Sequence, residues 1–152
     1  MANEISTAGI KVKYAAEGSS GRPTSGFTTI PNVKVTPEIS GEPETLEVTD
    51  LSDPTWRRYI PSLKDSGGAI AFTANLTAAF ITAWETLVTA YATAKASNKK
   101  MYFEIVVPGV ESFYFYGEPV SLGIDSYDVG SVAEQTAYVV VNGVDGWDTS
   151  SS

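Results

Sequence analysis

The chain has 152 residues, of which 43% are hydrophobic and 18% are charged. This length suits one domain with its own core, and this composition excludes global disorder. Because the sequence has no cysteine and no histidine, disulfides, thiolate nucleophiles, imidazole bases and the common zinc and copper ligand sets are excluded. We therefore expect a single domain spanning residues 1–152, with no cofactor and little catalytic equipment.

The net charge of −8 opposes general binding to nucleic acid, since affinity for phosphate comes mainly from lysine and arginine. The acids are clustered: six acids and no base lie between Glu38 and Asp53, and eight acids and no base follow Lys100. No segment resembles a secretory signal or approaches the roughly 20 apolar residues that span a bilayer. We expect a soluble, unexported chain that does not bind membranes.

The first part of the chain is predicted to be extended. Gly9–Ala16 alternates apolar and basic residues, which indicates a strand with one solvent-exposed face. Glu17–Gly26 is rich in glycine and serine and is predicted to be a mobile loop. Ile30–Thr36 is predicted to be an edge strand because prolines lie near both of its ends, and Glu44–Leu51 is also extended.

The segment Asp50–Gly68 is the longest without clean periodicity, and residues 51–67 are interpreted as a long loop. Long loops in compact domains are uncommon, and those with apolar anchors are usually functional. Trp56, Arg57, Arg58 and Tyr59 combine aromatic and guanidinium groups.

Such a cluster is typical of a protein interface, although base stacking or packing on its own domain are alternatives. The acidic run upstream disfavours nucleic acid. If Arg57 and Arg58 met acids of a neighbouring copy, the contact would be heterologous, the kind that builds rings and filaments.

One amphipathic helix interrupts the strands. Its apolar residues recur at helical spacing and are expected to form the helix core: Phe80, Ile81, Trp84, Leu87, Val88 and Tyr91. Alternating apolar residues precede the helix between Ile70 and Leu76 and follow it between Met101 and Val107. The sequence therefore predicts a mainly β domain with one helix packed on its sheet.

The remainder of the chain reads as strands and turns. Met101–Gly117 is predicted to be a hairpin around a type II turn at Pro108 and Gly109. Gly117–Val129 is extended with bends, and Val132–Asn142 is the last predicted strand. The tail Val144–Ser152 is expected to be frayed or reserved for a contact.

Carboxylates give weak candidate sites. Glu104 and Glu118 on neighbouring strands would suit a glycoside hydrolase if they faced each other, but exposed strand glutamates are common. Asp125, Asp128 and Gly130 fail the spacing of a calcium loop and are better explained by a turn. No phosphate loop or nucleophile elbow is present, so we predict no enzyme and no catalytic, cofactor or metal residue.

The order of elements resembles a known family. The succession PNVKVTPEISGEPETLEVTD, a long loop, GGAIAFTANL, a helix with Trp84 near its middle, KMYFEIVVPG, VESFYFYGEPVSLGI and EQTAYVVVNG is similar to the major tail tube protein of long-tailed, lambda-like bacteriophages. The resemblance covers Ile30 to Gly143. Some relatives append an immunoglobulin-like domain, whereas this chain ends shortly after Trp147.

The resemblance implies a β-sandwich or barrel-like tail-tube fold with one flanking α-helix. Six such subunits close into a homohexameric ring, and rings stack helically into the hollow virion tail that conducts double-stranded DNA from capsid to host. Implied partners are other copies, the tape-measure, tail terminator and tail-tip proteins, and DNA as transient cargo. Assembly takes place in the host bacterial cytoplasm.

The resemblance also suggests roles for residues. The inter-ring loop would comprise residues 51–67 and include Asp53, Trp56, Arg57, Arg58 and Tyr59. An acidic lumen would let DNA slide without sticking, and the candidate lumen acids are Glu38, Glu42, Glu44 and Glu47. The ends, residues 1–9 and 144–152, are expected to be flexible or to become ordered on assembly.

Two other functions remain open from the sequence. One is a monomeric carbohydrate-binding β-module on a particle or cell surface, using Trp56, Tyr59, Tyr114 and Tyr116. The other is a small hydrolase, which would need two carboxylates converging in a concave pocket.

Overall fold

The computed structural model describes residues 9–39, 43–49, 52, 56–57, 59–64 and 68–151, with residues 43–45 and 59–64 described by backbone alone. Nine strands and one helix lie within these residues, which confirms the predicted mainly β fold with one helix. The elements in chain order are β1 Lys11–Ala16, β2 Thr28–Ile30, β3 Val33–Val35, β4 Pro43–Glu47, β5 Tyr59–Lys64, β6 Ala69–Asn75, α1 Ala78–Ala96, β7 Met101–Val106, β8 Ser112–Pro119 and β9 Glu134–Asp148.

Seven strands form one sheet that nearly closes into a barrel. The strand order is β2-β1-β7-β8-β9-β6-β3, so β2 and β3 lie at opposite edges of the sheet. Only Pro31 and Asn32 join these two strands, which means that the two edges must approach each other. Asn32 has a φ of 63°, a left-handed conformation that asparagine tolerates better than most residues.

This closure corrects one predicted strand. Ile30–Thr36 is not continuous, because the chain turns at Pro31 and Asn32 and passes from one edge of the sheet to the other. The prediction of an edge position is confirmed for both short pieces. Proline is compatible with the turn because its fixed φ suits a tight connection and it has no N–H to pair.

Helix α1 packs against the apolar inner face of the sheet. Within the predicted apolar stripe, Phe80, Trp84 and Leu87 are fully buried, while Ile81, Val88 and Tyr91 are half-buried. The helix begins after Thr77, whose hydroxyl accepts a hydrogen bond from the N–H of Phe80 at 3.1 Å. Across the described part of the chain, no helix is long and apolar enough to cross a membrane.

Strands β4 and β5 form a separate two-stranded sheet, called the hairpin from here on. Strand β5 lies within the segment predicted to be a long loop, which corrects that prediction. Pro61 faces Thr45 in the register, and proline is tolerated there because, among the described residues, β5 pairs with a strand on one side only. Apolar and polar residues need to alternate only in a strand that has one buried face. Leu46 in β4 is exposed, so this requirement does not apply to it.

The second half of the sheet follows the prediction up to its end. The turn between β7 and β8 is present, with Gly109 at a φ of 81° and the N–H of Val110 bonded to the carbonyl of Val107 at 3.2 Å. Asp125 lies in the loop between β8 and β9, where its Oδ2 accepts the N–H of Thr136 at 2.9 Å, and no group of residues suited to a metal ion is found within the described residues. Strand β9, however, continues past the predicted end at Asn142 to Asp148.

Candidate functional site

The hairpin presents the predicted interface cluster. Trp56 is 81% exposed, which is unusual for a tryptophan in a single chain. Arg57 Nε lies 3.8 Å from Glu47 Oε1, and both side chains are largely exposed, so this pair stabilises the chain little. The backbone of Tyr59 pairs with Glu47 in the hairpin register, whereas Asp53 and Arg58 lie outside the described residues.

The candidate lumen acids are divided between two places. Glu47 lies at the end of β4, and Glu44 belongs to the same strand by its backbone. Glu38 is exposed and lies before the hairpin, next to Ile39, which packs partly against the core. Glu42 lies outside the described residues.

The outer surface of β6 and β9 carries apolar side chains that the sequence analysis did not single out. Tyr138 is 51% exposed and Val140 is also exposed, and they face Ala71 and Ala69 of β6. Ile124, in the loop between β8 and β9, adds another exposed aliphatic side chain. We call Ala69, Ala71, Tyr138 and Val140 the outer face.

A signal for the outer face was present in the sequence. Tyr138–Val141 is apolar at every position, a pattern typical of strands that are covered on both sides. In the single chain only the inner side is covered, where Val139 and Val141 are buried. The pattern is therefore that of a strand covered on both sides, although Tyr138 and Val140 are exposed in the single chain.

Glu104 is completely buried, contrary to the interpretation of an exposed strand glutamate. Its Oε2 accepts hydrogen bonds from the Tyr114 hydroxyl and the Ser151 N–H, both at 3.0 Å, and its Oε1 accepts the Ser151 hydroxyl at 2.5 Å. Burial alone would raise the pKa of Glu104, but the hydrogen bonds from Ser112, Ser151 and Tyr114 together lower it.

The suggested pair of carboxylates is not formed. Glu104 faces Tyr114 across β7 and β8, whereas Glu118 faces Val140 in β9. Glu118 instead accepts a hydrogen bond from the Tyr91 hydroxyl of α1. Burial and this bond to a carboxylate raise the pKa of Tyr91 to about 12. Glu118 thus fastens the helix to the sheet.

The segment Glu17–Gly26, predicted to be mobile, is held by Arg22. The Arg22 guanidinium lies 4.0 Å above the centre of the Tyr114 ring and 3.2 Å from Asp145 Oδ2, and it also bonds Asp148. These contacts reach up to 126 residues along the chain, which is why the local composition did not predict them. The loop is therefore anchored on the sheet.

Of the four aromatic residues suggested for carbohydrate, Trp56 is exposed, whereas Tyr114 and Tyr116 are at least partly covered. Tyr114 is only 2% exposed, and its hydroxyl is occupied by Glu104 and by the carbonyl of Thr149. Tyr116 is half-buried, with the Lys100 ammonium 4.4 Å above its ring. A sugar ring needs an open aromatic face, which Tyr114 does not offer.

Neither a protein-family profile nor a curated protein sequence matches this chain. One similar solved structure is a chain in the cryo-EM structure of the anti-feeding prophage baseplate, symmetrised with sixfold symmetry. The TM-score is 0.57 and the identity is 10%, and the match covers 96% of this chain and 95% of that chain. The two chains therefore share a fold over their whole lengths.

Proposed function

We propose that this chain is a structural subunit of a phage-like tail, closing with five other copies into a ring and stacking into a hollow tube. The observation that carries the proposal is the whole-length likeness to a chain of a sixfold-symmetrised prophage baseplate. Because the identity is 10%, that likeness shows the fold, and the role rests on the surfaces of this chain.

The outer face supports contact between copies. Its four residues carry no charge, although the chain as a whole has a net charge of −8. Exposed apolar surfaces of this kind mark sites of protein interaction in soluble proteins. A neighbouring copy that covers Tyr138 and Val140 would remove this surface from water.

The hairpin supports contact between rings. A two-stranded sheet by itself is marginally stable in water, and among the described residues this one pairs with no strand of the main sheet. An exposed Trp56 beside Arg57 suits an interface anchor. In the proposed tube, the hairpin packs on a copy in the adjacent ring.

The distribution of acids supports a bore that conducts DNA. Glu38 and Glu47 are exposed, and the proposed lumen includes them together with Glu42 and Glu44. Carboxylates repel phosphates, so a duplex passes without being bound. The tape-measure, tail terminator and tail-tip proteins would be the further partners in this proposal.

The direct test is the state of assembly of the purified full chain. We expect rings or hollow tubes on negatively stained grids and a concentration-dependent mass in analytical ultracentrifugation. Long tubes would favour the tube, whereas single rings that never stack would favour a baseplate ring. A strictly monomeric chain at every concentration would contradict both.

A second test is directed at the outer face. Tyr138→Lys combined with Val140→Lys places two charges on the proposed contact, so rings should be lost. The unfolding midpoint should stay within a few degrees, because both side chains are exposed in the single chain. Thr89→Lys on the exposed side of α1 is the control, and it should assemble normally.

A third test separates rings from stacks. Replacing residues 43–64 by a short glycine and serine linker removes both hairpin strands together, so neither is left unpaired. We expect a folded domain that forms rings without forming tubes. Normal tubes from this variant would show that the hairpin does not join rings.

A further inference from the structure

Strand β7 is buried on both sides. Met101, Phe103 and Ile105 face the core, as expected of an alternating strand, but Tyr102 and Glu104 are also buried. Two remote segments cover this outer side. One is Thr149–Ser151, called the strap, which follows the end of β9 and bonds Glu104, and the other is the loop that carries Arg22, which lies over Tyr114 of the neighbouring strand β8.

The strap is fastened mainly through polar groups. Thr149 and Ser150 are exposed and Ser151 is half-buried, so the strap has no apolar anchor. The Thr149 carbonyl accepts a hydrogen bond from the Tyr114 hydroxyl at 2.7 Å, and the Ser150 hydroxyl lies 2.8 Å from the Ser112 hydroxyl. The N–H and the hydroxyl of Ser151 both donate to Glu104.

Glu104 suits this role because an ionised carboxylate only accepts hydrogen bonds. Every group that bonds it within the described residues is a donor. Protonation would remove the charge that strengthens each of these bonds, and one of the donating hydroxyls would have to turn to accept the new O–H. The attachment of the strap therefore depends on the charge of Glu104.

The Arg22 loop depends on the same residues. Arg22 stacks on the ring of Tyr114, whose hydroxyl bonds both Glu104 and the strap. Arg22 also bonds Asp148, the last residue of β9, whose Oδ1 accepts the N–H of Thr149 at 2.8 Å. Loop, strand end and strap thus form one closed network.

We propose that the strap and the Arg22 loop form a single latch, fastened by ionised Glu104, in which release of either segment loosens the other. Such coupling is reciprocal, because each segment is bound more tightly while the other is in place. The latch lies within one chain and does not require assembly. When it opens, the outer side of β7 and Tyr114 become accessible.

The charges around Glu104 define how the latch responds to pH. The titratable and charged groups that face this region are Lys13 of β1, Tyr102 of β7, Tyr114 of β8, Arg22 of the loop, and Asp145 and Asp148 of β9. The pKa of Glu104 is lowered in the folded chain. The latch is therefore fully fastened above the ordinary glutamate pKa of 4.5 and opens as the pH falls through the lowered value.

The experiment compares amide hydrogen exchange in the full chain and in Glu104→Gln. Exchange at the Ser151 amide should accelerate about tenfold or more, because a bond to a charged group is lost. The Gly18 amide, which bonds the Gly21 carbonyl at 2.9 Å in the loop, should accelerate as well. Arg22→Ala should accelerate exchange at Ser151 in return.

Glu118→Gln is the matched control, since it changes a glutamate of the next strand that bonds Tyr91 and not the latch. It should leave exchange at Ser151 and Gly18 unchanged. Unchanged exchange at Ser151 in Glu104→Gln would overturn the latch. Faster exchange at Ser151 without any change at Gly18 would overturn the coupling.

A titration of the wild-type chain covers the case in which Glu104→Gln fails to fold. The amide proton shift of Ser151 should follow the same titration curve as the Glu104 side-chain carboxyl carbon. A Ser151 shift that does not change along this curve would contradict the proposal.

Discussion

The seven-stranded sheet and the hairpin are built in opposite ways. The sheet and α1 enclose a core that includes Phe72 of β6 and Trp84 of α1. The strands of the sheet pair along most of their lengths. The hairpin has two paired strands with Leu46 and Trp56 exposed. One region has a core of its own, whereas Leu46 and Trp56, in the described part of the other, lie outside that core.

The difference teaches where stability and assembly reside. Burial in the sheet accounts for the stability of the folded chain, since apolar burial is the dominant favourable contribution to folding. The exposed side chains of the hairpin contribute little to that stability, so they are free to serve contacts with other molecules. Substitutions should therefore affect folding in one region and assembly in the other.

The largest contrast is expected between two tryptophans. Trp84→Ala should lower the free energy of unfolding by about 3–5 kcal/mol. It leaves a cavity in the core and removes the donor that bonds the Val120 carbonyl at 2.8 Å. Trp56→Ala should change the stability by about 0.5 kcal/mol or less. Urea denaturation of both variants tests this contrast, and equal losses would contradict it.

A smaller loss is expected where β8 approaches β9. A Cβ on Gly117 would lie 2.3 Å from the Val140 carbonyl oxygen, so backbone must shift. Gly117→Ala should lower the free energy of unfolding by about 1–3 kcal/mol. Gly123→Ala is the control, because nothing lies within 4 Å of its added Cβ. Thermal melting distinguishes them, and similar melting temperatures would exclude the close approach.

Alkaline pH should weaken the polar attachments of the sheet. Burial and the bond to Glu104 raise the pKa of Tyr114 to about 12, as burial and Glu118 do for Tyr91. Both pKa values lie above the ordinary tyrosine value of 10.0. The stability that the two hydroxyl groups contribute is therefore complete below pH 10 and is lost as the pH rises from about 10 to about 12. The absorbance of phenolate should show that these two tyrosines lose their protons in the same pH range in which the protein unfolds. Titration near pH 10 in the folded chain would contradict this.

The smallest effect is expected at the hairpin ion pair. Arg57→Ala removes a 3.8 Å contact with Glu47 between two exposed side chains. The stability should change by less than about 0.5 kcal/mol. If the hairpin joins rings, the same variant should assemble into shorter tubes. A clear loss of stability would show that the hairpin supports the fold.

Local patterns were enough to predict several elements. The stripe from Phe80 to Tyr91 predicted α1, because a helix on a sheet must bury one side. Alternation predicted β6 and β7, and Pro108 with Gly109 predicted the turn before β8. Each of these signals depends on neighbours within a few residues.

Other features were not predictable in this way. The sequence of strand β5 has no clean alternation, so a period of two did not reveal it. Glu104 looked exposed because Ser151, which bonds its carboxylate, lies 47 residues away in sequence. The order of β2 and β3 at opposite edges likewise depends on the path of the whole sheet.

The sequence by itself determined the class of fold, the helix and its buried side, and the clustering of acids, because periodicity and composition are local properties. Only the tertiary structure decided the near closure of the barrel, the separate hairpin and the burial of Glu104. These depend on contacts between residues as many as 126 positions apart. The physical reason is that hydrogen bonds and burial act through space, and a one-dimensional pattern does not encode which distant groups will meet.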